Sequence, residues 1–172
     1  MVEKTYSKLS RAGEASNEGK NTSFMFPELH EDIENAISHN LTVKWVFRSK
    51  DDRNAHREYS THVMGRFRCT NRSCDMSGWA SKKVAILIRG YASNGYNAVV
   101  FNQRCKTCDT LGSLTLDEKS YIERVAYRIQ KWAGVEVEQP HYVSKKGLPH
   151  RQELCEGCKR GICRQMSDWE HN

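Results

Sequence analysis

Near its end the chain reads LPHRQELCEGCKRGIC, residues 148–163, which places His150, Cys155, Cys158 and Cys163 in one short segment. Far upstream, Cys105 and Cys108 make a second C-x2-C pair, and Cys69 and Cys74 a C-x4-C pair. Thiolates and imidazoles at such spacings suit a tetrahedral Zn²⁺, because two sulfurs on one tight turn reach the same ion. Seven thiols and one imidazole make eight donors, the number that two closed structural sites require. A catalytic zinc keeps a position open and a general base beside it, and eight donors leave no vacancy. No HExxH or HxE…CxxC pattern occurs. An iron–sulfur cluster could use four thiolates from the upstream pairs but finds only three downstream. An odd cysteine count with no secretory signal argues against a disulfide framework, and a redox CxxC would need a βαβ setting that the pattern does not offer.

The elements that must position these donors are legible as three strands. STHVMGRFRC leads up to Cys69, SKKVAILIRG carries the continuous apolar run of a central strand, and YNAVVFNQRC leads up to Cys105. YASNGY, with Asn94-Gly95 favouring positive φ, predicts a tight hairpin between the last two. In such an antiparallel meander the first and third strands end on the same side, so Cys69, Cys74, Cys105 and Cys108 gather at one end of the sheet. His150, Cys155, Cys158 and Cys163 then wrap a second ion from a single loop. Spacing alone leaves an interleaved pairing open, and His141 is the rival for the eighth position; His30, His39, His56, His62 and His171 read as solvated or structural.

Around this frame, FPELHEDIENAISHN predicts a short amphipathic helix with Pro27 at its start, and LTVKWVFR a strand burying Val43, Trp45 and Phe47. SKDDRNAHRE reads as a charged loop. The longest helix lies in LTLDEKSYIERVAYRIQKWAGV, with Asp117 as N-cap, Gly134 as stop, and Tyr121, Ile122, Val125, Ala126, Ile129 and Trp132 on one face. The expected fold is therefore α+β: a small antiparallel β-meander packed against one main helix, with two structural zinc sites. Residues 1–23 read as a disordered polar leader, 24–165 as the zinc-binding domain and 166–172 as a frayed tail.

Composition supports a metal-dependent fold. In 172 residues the hydrophobic share is 38%, a lean supply for a core. No segment approaches the roughly 18 apolar residues of a membrane helix, so a protein of the cytoplasm or nucleus is expected. The formal charge of +6 points to an acidic partner, but seven charges lost by thiols ionising and four gained from two ions leave +3.

VMGRFRCTNRSC, GWASKKVAILIRGY, YNAVVFNQRCKTC, YIERVAYRIQKWAG and PHRQELCEGCKRGIC together resemble the 3CxxC-type zinc finger domain, notably its stand-alone fungal form, from about Phe24 to Cys163. That family also includes the receptor-transporting proteins, which assist surface delivery of olfactory receptors, and the zygote arrest proteins, which bind RNA. The resemblance implies zinc binding through Cys105, Cys108, Cys155 and Cys158, with Cys69, Cys74 and Cys163 at neighbouring cysteine positions. The Cys69-x4-Cys74 pair carries two residues more than the motif's name. Two non-enzymatic roles follow as expectations. One is RNA binding by Arg66, Arg68, Arg72, Lys82, Lys83, Arg104, Lys106, Lys159, Arg160 and Arg164 around the ligand loops, with Phe67, Trp79 and Tyr91 available to stack on bases. The other is a protein adaptor or chaperone-like module using the leader and the loop at 49–58; a small-molecule substrate and membrane insertion are not expected.

Overall fold

A computed structural model describes residues 20–50, 54–140 and 149–163. The leader up to residue 19, His141 and the tail from residue 164 on, Arg164 and His171 included, lie outside the described residues, as does the middle of the charged loop at 51–53.

The sheet is built on the expected meander. Strand β3 (Arg57–Cys69) pairs antiparallel with β4 (Gly78–Tyr91), and β4 antiparallel with β5 (Gly95–Phe101). Two-residue strands β1 (Ser23–Phe24) and β2 (Val46–Phe47) flank β5, and β6 (Gly112–Leu116) flanks β3, giving the order β1-β5-β4-β3-β6 with β2 also on β5. Strand β6 is an addition to the sequence reading, and β2 pairs with β5 in parallel over only two residues. The longer strand expected over LTVKWVFR is accordingly absent. Trp45 is buried, but Val43 is 56% exposed because no neighbour continues along that segment to set an alternating face.

Two helices cover one side. Pro27–Leu29 forms a 3-10 turn that buries Leu29 and leads into α1 (His30–Ile37), which buries Ile33 and Ile37. Helix α2 (Glu118–Trp132) starts where Asp117 accepts a 2.8 Å hydrogen bond from the Ser120 amide, and it ends as Gly134 turns left-handed at φ +79°. Tyr121, Val125, Ala126 and Ile129 pack against Val63, Phe67, Val84, Ile86, Ile88, Tyr96, Ala98 and Val100, the alternate residues of the three long strands. The opposite face of the sheet carries Ala85, Leu87, Val99 and Phe101, and Cys155, with Cys158, Ile162 and Cys163 partly buried against it, packs there. The C-terminal cysteine segment is therefore the second layer on that face. This is the α+β architecture expected, with a curled sheet between helices and a metal-ligand segment.

The β4–β5 turn differs from expectation in detail. Positive φ falls on Ser93 and Asn94, both at 57°, while Gly95 is extended at φ −78° and already belongs to β5. A Cβ at Gly95 would meet Arg48 Nε at 2.5 Å, a contact the exposed Arg48 side chain can relieve by shifting.

Candidate metal centres

The first centre forms where the meander's ends converge. Strand β3 delivers Cys69 at its last residue, and the Cys69 amide donates to Ser77 O (3.1 Å), closing the loop that carries Cys74. Cys105 lies four residues past β5, and a knuckle brings Cys108 back to it: Asp109 N donates to Cys105 O (2.8 Å) with Asp109 at φ 57°, and Cys105 N donates to Thr110 O (2.9 Å). The chain then returns as β6 beside β3, with Gly112 at Cys69. Cys69 Sγ lies 3.5 Å from Cys108 Sγ and Cys74 Sγ 3.9 Å from Cys105 Sγ, and all four sulfurs fall within 4.8 Å of one another. A tetrahedral site with Zn–S near 2.3 Å has edges of about 3.8 Å. The Met76 amide donates to Cys74 Sγ (3.4 Å), the kind of turn N–H that stabilises a metal-bound thiolate.

The second centre is made by one segment. A 3-10 turn at Gln152–Leu154 and the short helix α3 (Glu156–Lys159) bracket Cys155, and Gly161 at φ +68° turns the chain so that Cys163 returns. His150 Nε2 lies 3.2 Å from Cys158 Sγ and 3.5 Å from Cys163 Sγ; its four donors also fall within 4.8 Å of one another. A tetrahedral N–Zn–S edge is about 3.6 Å, so this set fits the same ion. Gly157, inside the CEGC motif, lets α3 sit on the sheet: a Cβ there would meet Ala85 Cβ at 2.5 Å.

Thiol chemistry shows why a cation belongs in both places. Burial pushes Cys69 up to about 12, whereas hydrogen bonds at Thr110 draw Cys108 down to about 6. In the second set the hydrogen bond from Cys163 draws Cys155 down to about 4, the same bond pushes Cys163 up, and burial raises Cys158 to about 11. Each cluster thus favours one thiolate and disfavours ionisation of two thiols beside it, Cys69 and Cys74 in the first and Cys158 and Cys163 in the second; a divalent ion removes that antagonism by letting all of them ionise.

The centres are coupled through residues 102–105. Glu156 N donates to Asn102 O (3.0 Å), Arg104 N donates to Leu154 O (2.7 Å), and Gln103 bridges Cys155, just before Cys105 enters the first centre. Arg104, adjacent to Cys105, donates from Nε to Glu156 Oε1 at 2.7 Å, adjacent to Cys155. Glu156 is 6% exposed; burial disfavours its charge, but Arg104 and Lys159 outweigh that and hold its carboxyl below the usual range.

The other residues singled out for chemistry divide by exposure. Arg66, Arg68, Arg72, Lys82, Lys83, Lys106, Lys159 and Arg160 are exposed, and Arg104 is committed to Glu156. Phe67 and Tyr91 are 3% and 6% exposed, which removes them from any base-stacking role; both face the interior because their strands must bury one side. Trp79 is half-buried, stacked on Phe67 at 5.2 Å and 9°, with its indole N–H donating to Gln103 Oε1. One residue at the second centre had read as merely structural: His62, buried on β3, places Nε2 3.1 Å from Cys163 Sγ. Its burial, with His150 beside it, lowers its pKa to about 4. A lone histidine in an alternating strand gives no signal of this; only the packing of the C-terminal segment on the sheet does.

A family model described as a zinc-binding domain, the 3CxxC zinc ribbon, matches residues 62–161, more than half the chain and seven of the eight clustered donors. No curated protein and no solved structure matches the chain. Among the described residues, no helix is long and apolar enough to cross a membrane. The two four-donor clusters, seven of their eight donors within the matched zinc-binding domain, fit two zinc ions.

Proposed function

From the premise that this chain belongs to the 3CxxC zinc-ribbon family of zinc-binding domains, we propose that it is a non-enzymatic, RNA-binding module whose fold is organised by two zinc ions. Cys69, Cys74, Cys105 and Cys108 hold one ion in this reading, and His150, Cys155, Cys158 and Cys163 the other. Four protein donors complete each tetrahedral shell, so neither ion keeps a position for substrate. Seven cysteines outside any disulfide suit a reducing compartment, and on that ground we assign the protein to the cytoplasm or nucleus.

The observation that carries the RNA reading is the placement of exposed cations between and around the centres. Strand β3 runs from His62 at the second centre to Cys69 at the first, and Arg66 and Arg68 share one face of it in between. Lys82 and Lys83 are exposed on the neighbouring strand; Arg72 and Lys106 lie on the loops of the first centre, and Lys159 and Arg160 on that of the second. Because Phe67 and Tyr91 are buried and Trp79 is engaged, phosphates rather than bases carry the contact. The expected binding is salt-sensitive and nearly independent of sequence.

Filter binding of single-stranded RNA at two salt concentrations tests this. The triple variant Arg66→Ala/Lys82→Ala/Lys83→Ala should keep its zinc and lose about 0.7 from the salt slope for each phosphate contact removed. An absent or salt-insensitive signal from the parent protein overturns the RNA reading. A defined protein captured after nuclease treatment, with no RNA signal, assigns the adaptor role instead.

A further inference from the structure

All four donors of the second centre come from residues 150–163, a segment that reaches the sheet through backbone contacts at residues 102–104 and through Cys155. Cys163 is the last of them in the chain. It follows the left-handed Gly161, and the one backbone bond of its amide, to Gly157 O, is long at 3.3 Å. A side chain from outside the segment meets its sulfur: His62 of β3, only 7% exposed, with Nε2 at 3.1 Å from Cys163 Sγ. That contact is shorter than the 3.5 Å from His150 Nε2 to the same sulfur. The two imidazoles flank the sulfur with ring centroids 6.0 Å apart. His62 pairs across the sheet with Ala85, on the face where the cysteine segment packs.

We propose that His62 is a positioning residue of the second zinc centre, donating its Nε2 hydrogen to the metal-bound Cys163 sulfur and so tying the last donor to the sheet. The direction of the bond follows from the chemistry. Ligation removes the thiol proton, and a thiolate has only lone pairs to offer, so the hydrogen between the two atoms belongs to the imidazole. That fixes the tautomer with Nε2 protonated. It also withdraws charge from one sulfur and sets the direction from which that sulfur meets the ion, the role of the outer hydrogen bonds around metal ligands. His62 is not itself a donor to the ion in this account, since the four donors that lie mutually within 4.8 Å already close the set.

The inference rests on Cys163 being a ligand, and the test separates the two claims. In the full-length protein loaded with cobalt(II), His62→Phe should weaken the second centre about 10- to 100-fold in competition titrations. It should also move the thiolate-to-cobalt charge-transfer band to lower energy and leave the four-sulfur centre unchanged. His62→Gln, which retains an N–H near the same place, should recover most of both effects. Unchanged affinity and an unchanged band in His62→Phe overturn the proposal. Loss of a nitrogen ligand from the cobalt spectrum of His62→Phe overturns it too, by making His62 a ligand. Cys163→Ser with the second centre's affinity intact shows instead that the ligand assignment beneath the proposal is wrong.

Discussion

Cys105→Ser is expected to release one of the two zinc ions and to lower the thermal midpoint by more than about 10 °C. Cys105 is fully buried, its sulfur 3.9 Å from that of Cys74, and its amide bond to Thr110 O helps turn the chain from β5 towards β6. A serine hydroxyl does not ionise there as a thiol does, so the ion loses a ligand and the sheet loses the clamp joining the ends of β3 and β5. Structural zinc contributes roughly 10–16 kcal/mol of apparent binding energy in small peptides, against about 5–15 kcal/mol for the net stability of a whole domain. Loss of only about 4 kcal/mol of this corresponds to roughly 8–16 °C for a chain of this size. Zinc content and a calorimetric melt check the result; two ions retained, or an unshifted melt, would refute it.

The second large effect is expected from one added methyl group. In Gly157→Ala the new Cβ would stand 2.5 Å from Ala85 Cβ, with Phe101 Cβ 3.5 Å and Cys155 Sγ 3.6 Å away. Ala85 and Phe101 meet it with Cβ atoms fixed to the backbone of β4 and β5, so no flexible end can swing aside and α3 must lift. Overpacking of this kind costs about 1–3 kcal/mol, equivalent to roughly 5- to 150-fold in zinc affinity if it falls on the second centre alone. Competition titration should show that loss with the first centre's affinity preserved. Equal affinities at both centres in the variant would mean that α3 does not need the close approach.

How much of this was written in the sequence depends on whether a local signal existed. The apolar run Val84 to Ile88 had one, and so did Asp117 before α2 and Gly134 after it; strand directions then sufficed to bring Cys69, Cys74, Cys105 and Cys108 to one end of the sheet. Strand β6 did not. Its five residues, Gly-Ser-Leu-Thr-Leu, run straight into a strong helix signal, and they become a strand only because the knuckle returns them alongside β3. Arg104 looks like any basic residue beside a cysteine until α3 lays Glu156 against it. His62 is hidden for the same reason: the contact that gives it a role spans 101 residues and arises only when the C-terminal segment covers the sheet. Phe67 and Tyr91 show the converse, because aromatics in half-buried strands leave it to register to decide which face they take.

The claim beneath all of this is that two bound ions replace apolar interior that a chain of mean hydropathy −0.76 cannot supply. Native mass spectrometry of the full-length protein, combined with a count of thiols reactive to an alkylating reagent, tests it most directly. The account predicts two zinc ions per chain with the cysteines protected, and loss of both the ions and the protection on adding a strong chelator. A folded protein that carries no ion while all seven thiols react would contradict it.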